Sequence, residues 1–334
     1  DIRILGEIEM GTVNFGQVAA LIQSVSATAL PEGASPTVQN TGTKANAQLV
    51  FGIPVATALS HNIPRLVPKD ITAYVTDGTI WKRLNGTDGF ALFEDIYVGD
   101  YIHMSRAISA YERTGQYQET GSEYVTIAGI DTMWGNGDQD VLSKHHLVMV
   151  PGQGFGGVQH FGRSRMNSTD TTANGYKASE MNTATLGAIV SAGATGATAT
   201  INPQLYAEFG AHLQTTKELV TNGINTTGYN RWGTAGGCSS NWEWISAQAI
   251  LMSEVEVYGS TVWSSSGYDT GNANRQLPLF VFSKQAQNNR SAWWWLKDIA
   301  SSADFCSAYG IGNSNHNGAG VAYGIVRPRF ILAA

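Results

Sequence analysis

The sequence predicts an α+β protein in which a small β-rich module, residues 1–68, precedes a larger domain, residues 69–334. Strand-like segments lie before and after a middle part that contains the helix candidates. Charged residues make up only 14% of the chain and glycines number 38, a balance typical of loop-rich extracellular or virion proteins rather than cytoplasmic enzymes. A length of 334 residues fits two domains.

The charge balance and hydropathy exclude some function classes. The net charge is −6 and the sequence contains no basic stripe, so nucleic acid is not an expected partner. No apolar run approaches the roughly 20 residues of a membrane helix. The chain begins at Asp1 rather than Met, and we therefore expect a processed or excised piece of a longer protein.

The N-terminal module carries a hairpin signal. Val38 and Thr41 precede a turn rich in Gly, Lys and Asn, and the apolar segment Gln48–Ile53 follows it and ends at Pro54. Two strands joined by this turn are therefore expected. Residues 15–30 fit either a helix or two strands.

Strands are also expected in the larger domain. Ile71–Thr76 and Thr79–Leu84 flank Asp77-Gly78, the two-residue turn of a hairpin. Apolar, β-branched or aromatic segments predict further strands at residues 98–102, 124–129, 145–151, 277–282, 292–296 and 327–332.

The middle of the chain contains three helix candidates. The first covers residues 178–190. In the second, Asn202 would be the N-cap, Pro203 the first helical residue and Leu213 the last. The third covers residues 246–257, where Ile245, Ala249, Met252 and Val255 could share one helix face.

A series of short motifs extends along the larger domain. It comprises VGDYI (98–102), YVTIAGID (124–131), HHLVMVP (145–151), MN (166–167), NGYKASEM (174–181), FGAHL (209–213), WWLK (294–297) and GIVRPRF (324–330). The ordered series resembles C-type-lectin-fold proteins related to formylglycine-generating enzyme, a group that includes phage and bacterial proteins diversified by retroelements. The resemblance implies a C-type-lectin-like domain over residues 69–334. Residues 31–54 are similar to a small module of phage tail-fibre and baseplate proteins.

These resemblances imply a non-enzymatic adhesin of a phage or phage-like particle. It would attach to virion tail or baseplate proteins, form a homotrimer at the virion surface and bind a host cell-surface protein or glycan. In diversified relatives the variable positions lie in the C-terminal stretch. The implied ligand-binding positions are Asp298, Ile299, Ala303, Phe305, Ser307, Tyr309, Asn313, Asn315, His316, Asn317, Ala319 and Ala322.

Two rival classes remain open. One is a structural virion protein, such as a capsid decoration, and the other is a polysaccharide-degrading tail enzyme. Glu243 together with Glu254 or Glu256 could supply paired carboxylates for glycan cleavage. Formylglycine-generating enzyme uses a closely spaced cysteine pair, whereas Cys238 and Cys306 are far apart in the sequence. A disulfide and two free thiols are equally compatible with these two cysteines.

Two groups of residues are candidates for a metal site. His145 and His146 are adjacent in a predicted strand, where their side chains point to opposite faces, so a core role is favoured over a shared ion. Asp131, Asn136, Asp138 and Asp140 form a glycine-containing acidic loop. Oxygen ligands at such a spacing could hold Ca²⁺, but the loop lacks a closing glutamate, and a solvated turn is favoured.

Overall fold

The computed structural model describes residues 21–30, 37–43, 46–54, 61–110, 120–225, 238–264, 275–288 and 292–334. Contacts divide the chain into two units, Asp1–Thr57 and Ala58–Ala334. The sequence places the boundary after residue 68, whereas the contacts group residues 58–68 with the larger unit. Helices and sheets are both present, which confirms the α+β class.

The smaller unit contains one three-stranded sheet. Its strands are β1 (Leu21–Leu30), β2 (Thr37–Asn40) and β3 (Asn46–Pro54), in the order β1-β3-β2. The antiparallel pairing of β2 with β3 confirms the predicted hairpin. β1 lies parallel to β3, so the part of residues 15–30 from Leu21 onward is a strand, and residues 15–20 lie outside the described residues.

The larger unit is built on a five-stranded antiparallel sheet of β4 (Tyr101–His103), β5 (Tyr124–Ile130), β6 (His146–Pro151), β9 (Ala249–Leu251) and β13 (Pro328–Ala333). The order of the strands in the sheet is β4-β5-β6-β13-β9. The C-terminal strand β13 lies between β6 and β9, and every residue of β6, β9 and β13 is buried.

The larger unit also contains two smaller sheets. One is a two-stranded antiparallel pair of β7 (Thr216–Asn225) and β8 (Cys238–Ala247). The other is a three-stranded antiparallel sheet of β10 (Trp294–Ile299), β11 (Asp304–Ala308) and β12 (Ser314–Gly318), with β11 in the middle.

The helices of the described residues are short. They are α1 (Thr72–Thr76), α2 (Thr79–Asn85), α3 (Ile201–Phe209), α4 (Glu254–Tyr258) and α5 (Pro278–Phe282). A π-helix covers Met181–Leu186, and 3₁₀ turns cover Gly210–His212 and Gln285–Gln287. Across the described ranges, no helix has the length and apolar character needed to cross a membrane.

The predicted hairpin at residues 71–84 is wrong, because this segment forms α1 and α2. Ile80 and Leu84 are buried, whereas Lys82, which would share their face in a strand, is exposed, and this is a helical rather than an alternating pattern. Asp77 and Gly78 form the turn between the helices. The Asp77 carboxylate accepts the Thr79 N–H at 2.8 Å, and Gly78 has a left-handed φ of 74°.

The second helix candidate is shorter than predicted and begins earlier. α3 buries Ile201, Leu205 and Phe209 at a spacing of four and ends before Gly210. The N-cap is Thr200, and Asn202 is a buried residue of the first turn. The Asn202 side-chain amide donates to the Gly187 carbonyl at 2.7 Å, so its hydrogen bonds go to another segment rather than to the helix end.

Three further element predictions are corrected. Residues 246–257 comprise the end of β8, then β9, and only then α4, because tertiary burial on both faces overrides helix propensity at residues 249–251. Of residues 178–190, only 181–186 are helical, in a π-helix. The predicted strand at 277–282 is the helix α5, which Pro278 begins.

A buried ionic cluster joins three elements of the larger unit. Arg329 of β13 donates two hydrogen bonds to Glu218 of β7, at 2.9 and 2.6 Å, and a third to Glu256 of α4. All three side chains are at most 1% exposed. Burial opposes ionisation, yet the Arg329 guanidinium lowers the pKa of Glu218, and the two carboxylates raise the pKa of Arg329. Arg329 and Glu218 therefore form an ionised pair, and we refer to Arg329, Glu218 and Glu256 together as the buried ionic cluster.

Glu256 also connects the cluster to the start of α4. Its carboxylate accepts the Ser253 N–H at 2.8 Å, and the Ser253 hydroxyl accepts the Glu256 N–H at 3.1 Å, which is a complete capping box. One carboxylate thus caps the helix and binds Arg329. The position of α4 is consequently tied to the central sheet.

Arg329→Ala is expected to lower the free energy of unfolding by about 3–5 kcal/mol, because two carboxylates would remain buried without their cation. Urea unfolding followed by tryptophan fluorescence measures this change. Arg106→Ala is the control: Arg106 is 44% exposed and 3.9 Å from Glu208, so its loss should cost at most about 1 kcal/mol. Equal losses for the two variants would contradict a structural role for the cluster.

Candidate ligand-binding site

Most of the ligand-contact positions predicted from the sequence lie on the hairpin formed by β11 and β12. Asp304 pairs with Gly318, Cys306 with His316 and Ala308 with Ser314, and these residues lie on one face. The alternate pairs, Phe305 with Asn317 and Ser307 with Asn315, share the other face. Residues 304–318 are therefore a strand hairpin rather than an irregular loop.

Glu254, the first residue of α4, holds the hairpin from the side of Cys306. Its carboxylate is fully buried and accepts the Ser314 hydroxyl of β12 at 2.5 Å. It also accepts the backbone N–H groups of Val262, Trp263 and Ser264 at 2.9–3.0 Å and the Ser264 hydroxyl at 2.7 Å. These donors compensate the buried charge. Glu254 therefore fixes residues 262–264 and β12 to the same helix.

A tight turn at residues 309–313 joins the two strands. The Tyr309 N–H donates to the Asn313 carbonyl at 2.8 Å, and the Gly312 N–H donates to the Tyr309 carbonyl at 2.7 Å. Gly312 has a φ of 85°, which favours glycine. Tyr309 is 44% exposed, Ile311 is 71% exposed, and Asn313 is also exposed. We call these three side chains the tip.

Four of the sequence-predicted contact positions are buried, and for them the prediction of exposure is wrong. Ile299 is 3% exposed, and Phe305, Ser307 and Ala319 are fully buried. Phe305 and Ser307 belong to the central strand β11, which has a neighbour on each side. A buried side chain cannot contact a ligand without rearrangement of the core, so these positions support the surface from beneath.

The other predicted positions differ in accessibility. Tyr309 and Asn313 are exposed, whereas the remaining ones are half-buried: Asp298, Ala303, Asn315, His316, Asn317 and Ala322. Asn317 donates to the Ser307 hydroxyl at 2.8 Å, and Asp298 accepts the Glu254 N–H. Asn315 and Asn317 lie on the opposite face of the hairpin from His316. The predicted set is therefore divided between two faces and a turn.

Several side chains of this region are not among the positions predicted from the sequence. Trp263 packs edge-on against His316, with 4.3 Å between ring centroids, and His316 lies 3.5 Å from the Asp304 carboxylate. Ile311 and Tyr323 are exposed by 71% and 47%. An isolated isoleucine between two glycines, as Ile311 is, was a usable signal of an exposed turn residue. Trp263 carried no comparable signal.

The adjacent histidines have separate roles. His146 is fully buried, accepts the Met133 N–H at Nε2 and donates to the Lys144 carbonyl through Nδ1. Burial lowers the pKa of His146, so it is neutral at pH 7. His145 is half-buried, with its Nδ1 2.7 Å from the Asp131 carboxylate. The sequence favoured a role in the core over binding of a shared ion, and the contacts of His146 are those of a core residue.

The side chains of the acidic loop bind separate partners or face solvent. The Asp131 oxygens contact His145 Nδ1 and the His146 N–H, at 2.7 and 2.8 Å. The Asn136 amide is buried and donates to the Lys217 carbonyl at 2.6 Å, while Asp138 and Asp140 are exposed. Among the residues described, no group of three or more His, Cys, Asp or Glu side chains is placed to hold a metal ion.

The carboxylates considered for glycan cleavage have structural partners. Glu254 and Glu256 are buried in the contacts given above, and Glu243 forms an ion pair with Lys177. Cys306 is a free, buried thiol. Burial and the neighbouring Glu254 raise the pKa of Cys306 well above its usual value, which disfavours the reactive thiolate. The side chain of Cys238 lies outside the described residues.

Comparison with known families gives one match. A family described as a domain of unknown function (DUF6273) matches residues 197–334. This stretch includes the buried ionic cluster, Glu254 and the complete β10–β12 sheet. No curated protein matches the chain significantly, and no solved structure does so either.

Glu254→Gln is expected to lower the free energy of unfolding by about 2–4 kcal/mol, because an amide N–H₂ would replace an oxygen that faces several donors. Ser314→Ala removes only one of these bonds and should cost about 1–2 kcal/mol. Urea unfolding of both variants tests the ranking. A Glu254→Gln protein as stable as Ser314→Ala would show that the carboxylate is not the anchor.

Proposed function

We propose that this chain is a binding protein that recognises its ligand through the tip. The observation that carries the proposal is the exposure of Tyr309, Ile311 and Asn313 on a turn whose flanking strands are held by buried contacts. Tyrosine supplies a large contact area at low entropic cost, and asparagine supplies adaptable hydrogen bonds. An exposed isoleucine beside them adds apolar area that water solvates poorly.

The support beneath the tip favours binding over a purely flexible loop. β11 is hydrogen-bonded on both sides, and Ser314 at the start of β12 is bound to the buried Glu254. A surface that is ordered before binding loses less conformational entropy when the ligand arrives. The same scaffold can present different side chains at the turn without a change of core.

The biological setting that we propose comes from the resemblance. A C-type-lectin-like larger domain and a tail-fibre-like N-terminal module fit an adhesin at the surface of a phage or phage-like particle, outside cells. Its ligand would be a host cell-surface protein or glycan, and its other partners virion tail or baseplate proteins. The motifs that carry the resemblance include β5, β6 and β13 of the central sheet, which supports a shared scaffold.

The rival functions receive less support. An enzyme that cleaves polysaccharide needs available carboxylates, whereas Glu254 and Glu256 accept structural hydrogen bonds and Glu243 is paired with Lys177. A virion decoration protein would use the tip for assembly contacts alone. Binding to cells or glycans separates that role from an adhesin, because a decoration protein has no need of either.

The double variant Tyr309→Ala/Ile311→Ser is expected to weaken ligand binding at least about 10-fold, because it removes the two largest exposed side chains of the tip. The fluorescently labelled full chain would be applied to a glycan array and to a panel of intact bacterial strains. The strains or glycans that retain the wild-type protein define the readout.

The matched control is Val281→Ser/Phe282→Ala. These residues of α5 are 54% and 53% exposed, so the control removes a similar apolar area elsewhere on the surface. It should bind as the wild type does. Equal binding by the tip variant and the wild type would refute the tip as the contact surface, and loss of a bound glycan during incubation would favour the enzyme.

A further inference from the structure

Arg327, the residue that precedes β13, is a buried cation. It is 1% exposed, and its guanidinium lies 5.0 Å from the centre of the Trp294 ring and 5.4 Å from that of the Phe280 ring. Nε donates to the Pro151 carbonyl at 3.3 Å, and Nη1 donates to the Ala286 carbonyl. Burial lowers the pKa of Arg327 to about 9, so the guanidinium remains charged at pH 7.

The charge of Arg327 has no ionic partner within the described part of the chain. Burial is the one influence on its ionisation, whereas Arg329, two residues later, has Glu218 and Glu256 beside it. Carbonyl dipoles and aromatic faces attract a guanidinium but carry no net charge. A buried ion is costly when no counter-charge lies near it. The surroundings of Arg327 therefore favour an anion as an additional partner.

One donor of Arg327 and one of Thr126 lie close to the same point. Among the described residues, none accepts a hydrogen bond from Arg327 Nη2. Thr126 of β5 is fully buried, and its Oγ1 accepts the Gly154 N–H at 2.9 Å, which leaves the hydroxyl hydrogen for a further acceptor. A Cβ atom on Gly152 would lie 3.3 Å from Thr126 Oγ1 and 4.0 Å from Nη2. The space beside Gly152 is thus within reach of both donors.

Gly152 keeps this space free of a side chain. It is buried, and its φ lies outside the left-handed range, so the backbone conformation does not require glycine at this position. Gly154 differs, because its φ of 63° does favour glycine. A larger residue at position 152 would bring its Cβ to the point that the two donors share. The glycine at 152 therefore preserves space rather than a turn.

We propose that Arg327, Thr126 and Gly152 form a binding site for a small monovalent anion, and specifically for chloride. One negative charge balances the single guanidinium, and an ion of one atom fits a space that a methyl group would fill. Phosphate or sulfate would bring further oxygens and a second charge that the described surroundings do not balance. The site is separate from the tip and stands whichever ligand the tip binds.

Thermal unfolding of the full chain, followed by tryptophan fluorescence, tests the proposal. Chloride would be exchanged for gluconate at constant ionic strength, since gluconate is too large for the space beside Gly152. An ion that binds only the folded chain stabilises it as its concentration rises. An increase from about 5 to about 500 mM chloride should therefore raise the Tm by at least about 3 °C. A Tm that does not change with chloride would overturn the proposal.

Two variants should lose this response. Gly152→Ala places a methyl group in the proposed site and leaves Arg327 charged, and Arg327→Met keeps an apolar side chain against Trp294 and Phe280 without the charge. The matched control is Arg106→Met, which removes a positive charge that is 44% exposed and should respond to chloride as the wild type does. An equal response in Gly152→Ala and the wild type would contradict the site.

A crystal of the wild type soaked in sodium bromide gives a measurement that needs no variant. Bromide has the charge of chloride and a similar size, and its anomalous scattering distinguishes it from water. The expected result is an anomalous peak within hydrogen-bond distance of Arg327 Nη2 and Thr126 Oγ1. Density for a water molecule at that point, without anomalous signal, would refute chloride as the ligand.

Discussion

The contact between Arg329 and Glu218 is the interaction on which the rest of the larger unit depends. It ties the central strand β13 to β7, and the third hydrogen bond of Arg329, to Glu256, extends the tie to α4. A buried guanidinium is costly unless its donors are satisfied. In this fold its donors bind carboxylates from two other elements that are distant in sequence, so the cluster favours this packing over the alternatives that an apolar core would tolerate.

The buried contacts continue from this cluster to the surface. α4 has Glu256 in the cluster and Glu254 at its first residue, and Glu254 accepts the Ser314 hydroxyl of β12. One short helix thus joins the centre of the fold to the hairpin that carries the tip. A capping box, with Ser253 and Glu256, fixes the start of that helix. We therefore attribute the order of the tip to buried electrostatic contacts rather than to turn propensity alone.

Local patterns predicted those elements whose residues are buried continuously or alternate regularly, such as β5, β6, β13 and the β2–β3 hairpin. They failed where side chains bond to distant segments. Asn202 resembles an N-cap but donates to Gly187, and Asp77-Gly78 resembles a hairpin turn but joins two helices. Glu254 and Glu256 looked available for catalysis because a sequence does not show that their partners are Ser314 and Arg329. Phe305 and Ser307 were likewise expected at the surface because their place in a central strand depends on β10 and β12.

Native-state hydrogen exchange of residues 304–318 measures directly whether the tip is displayed on an ordered support. We expect the amides of β11 to exchange only through global unfolding, because this strand is paired on both sides and tied through α4 to the buried ionic cluster. Their opening free energy should therefore equal the free energy of unfolding of the larger unit. Fast exchange throughout residues 304–318 would show that this segment is a flexible loop and that the tip has no ordered support.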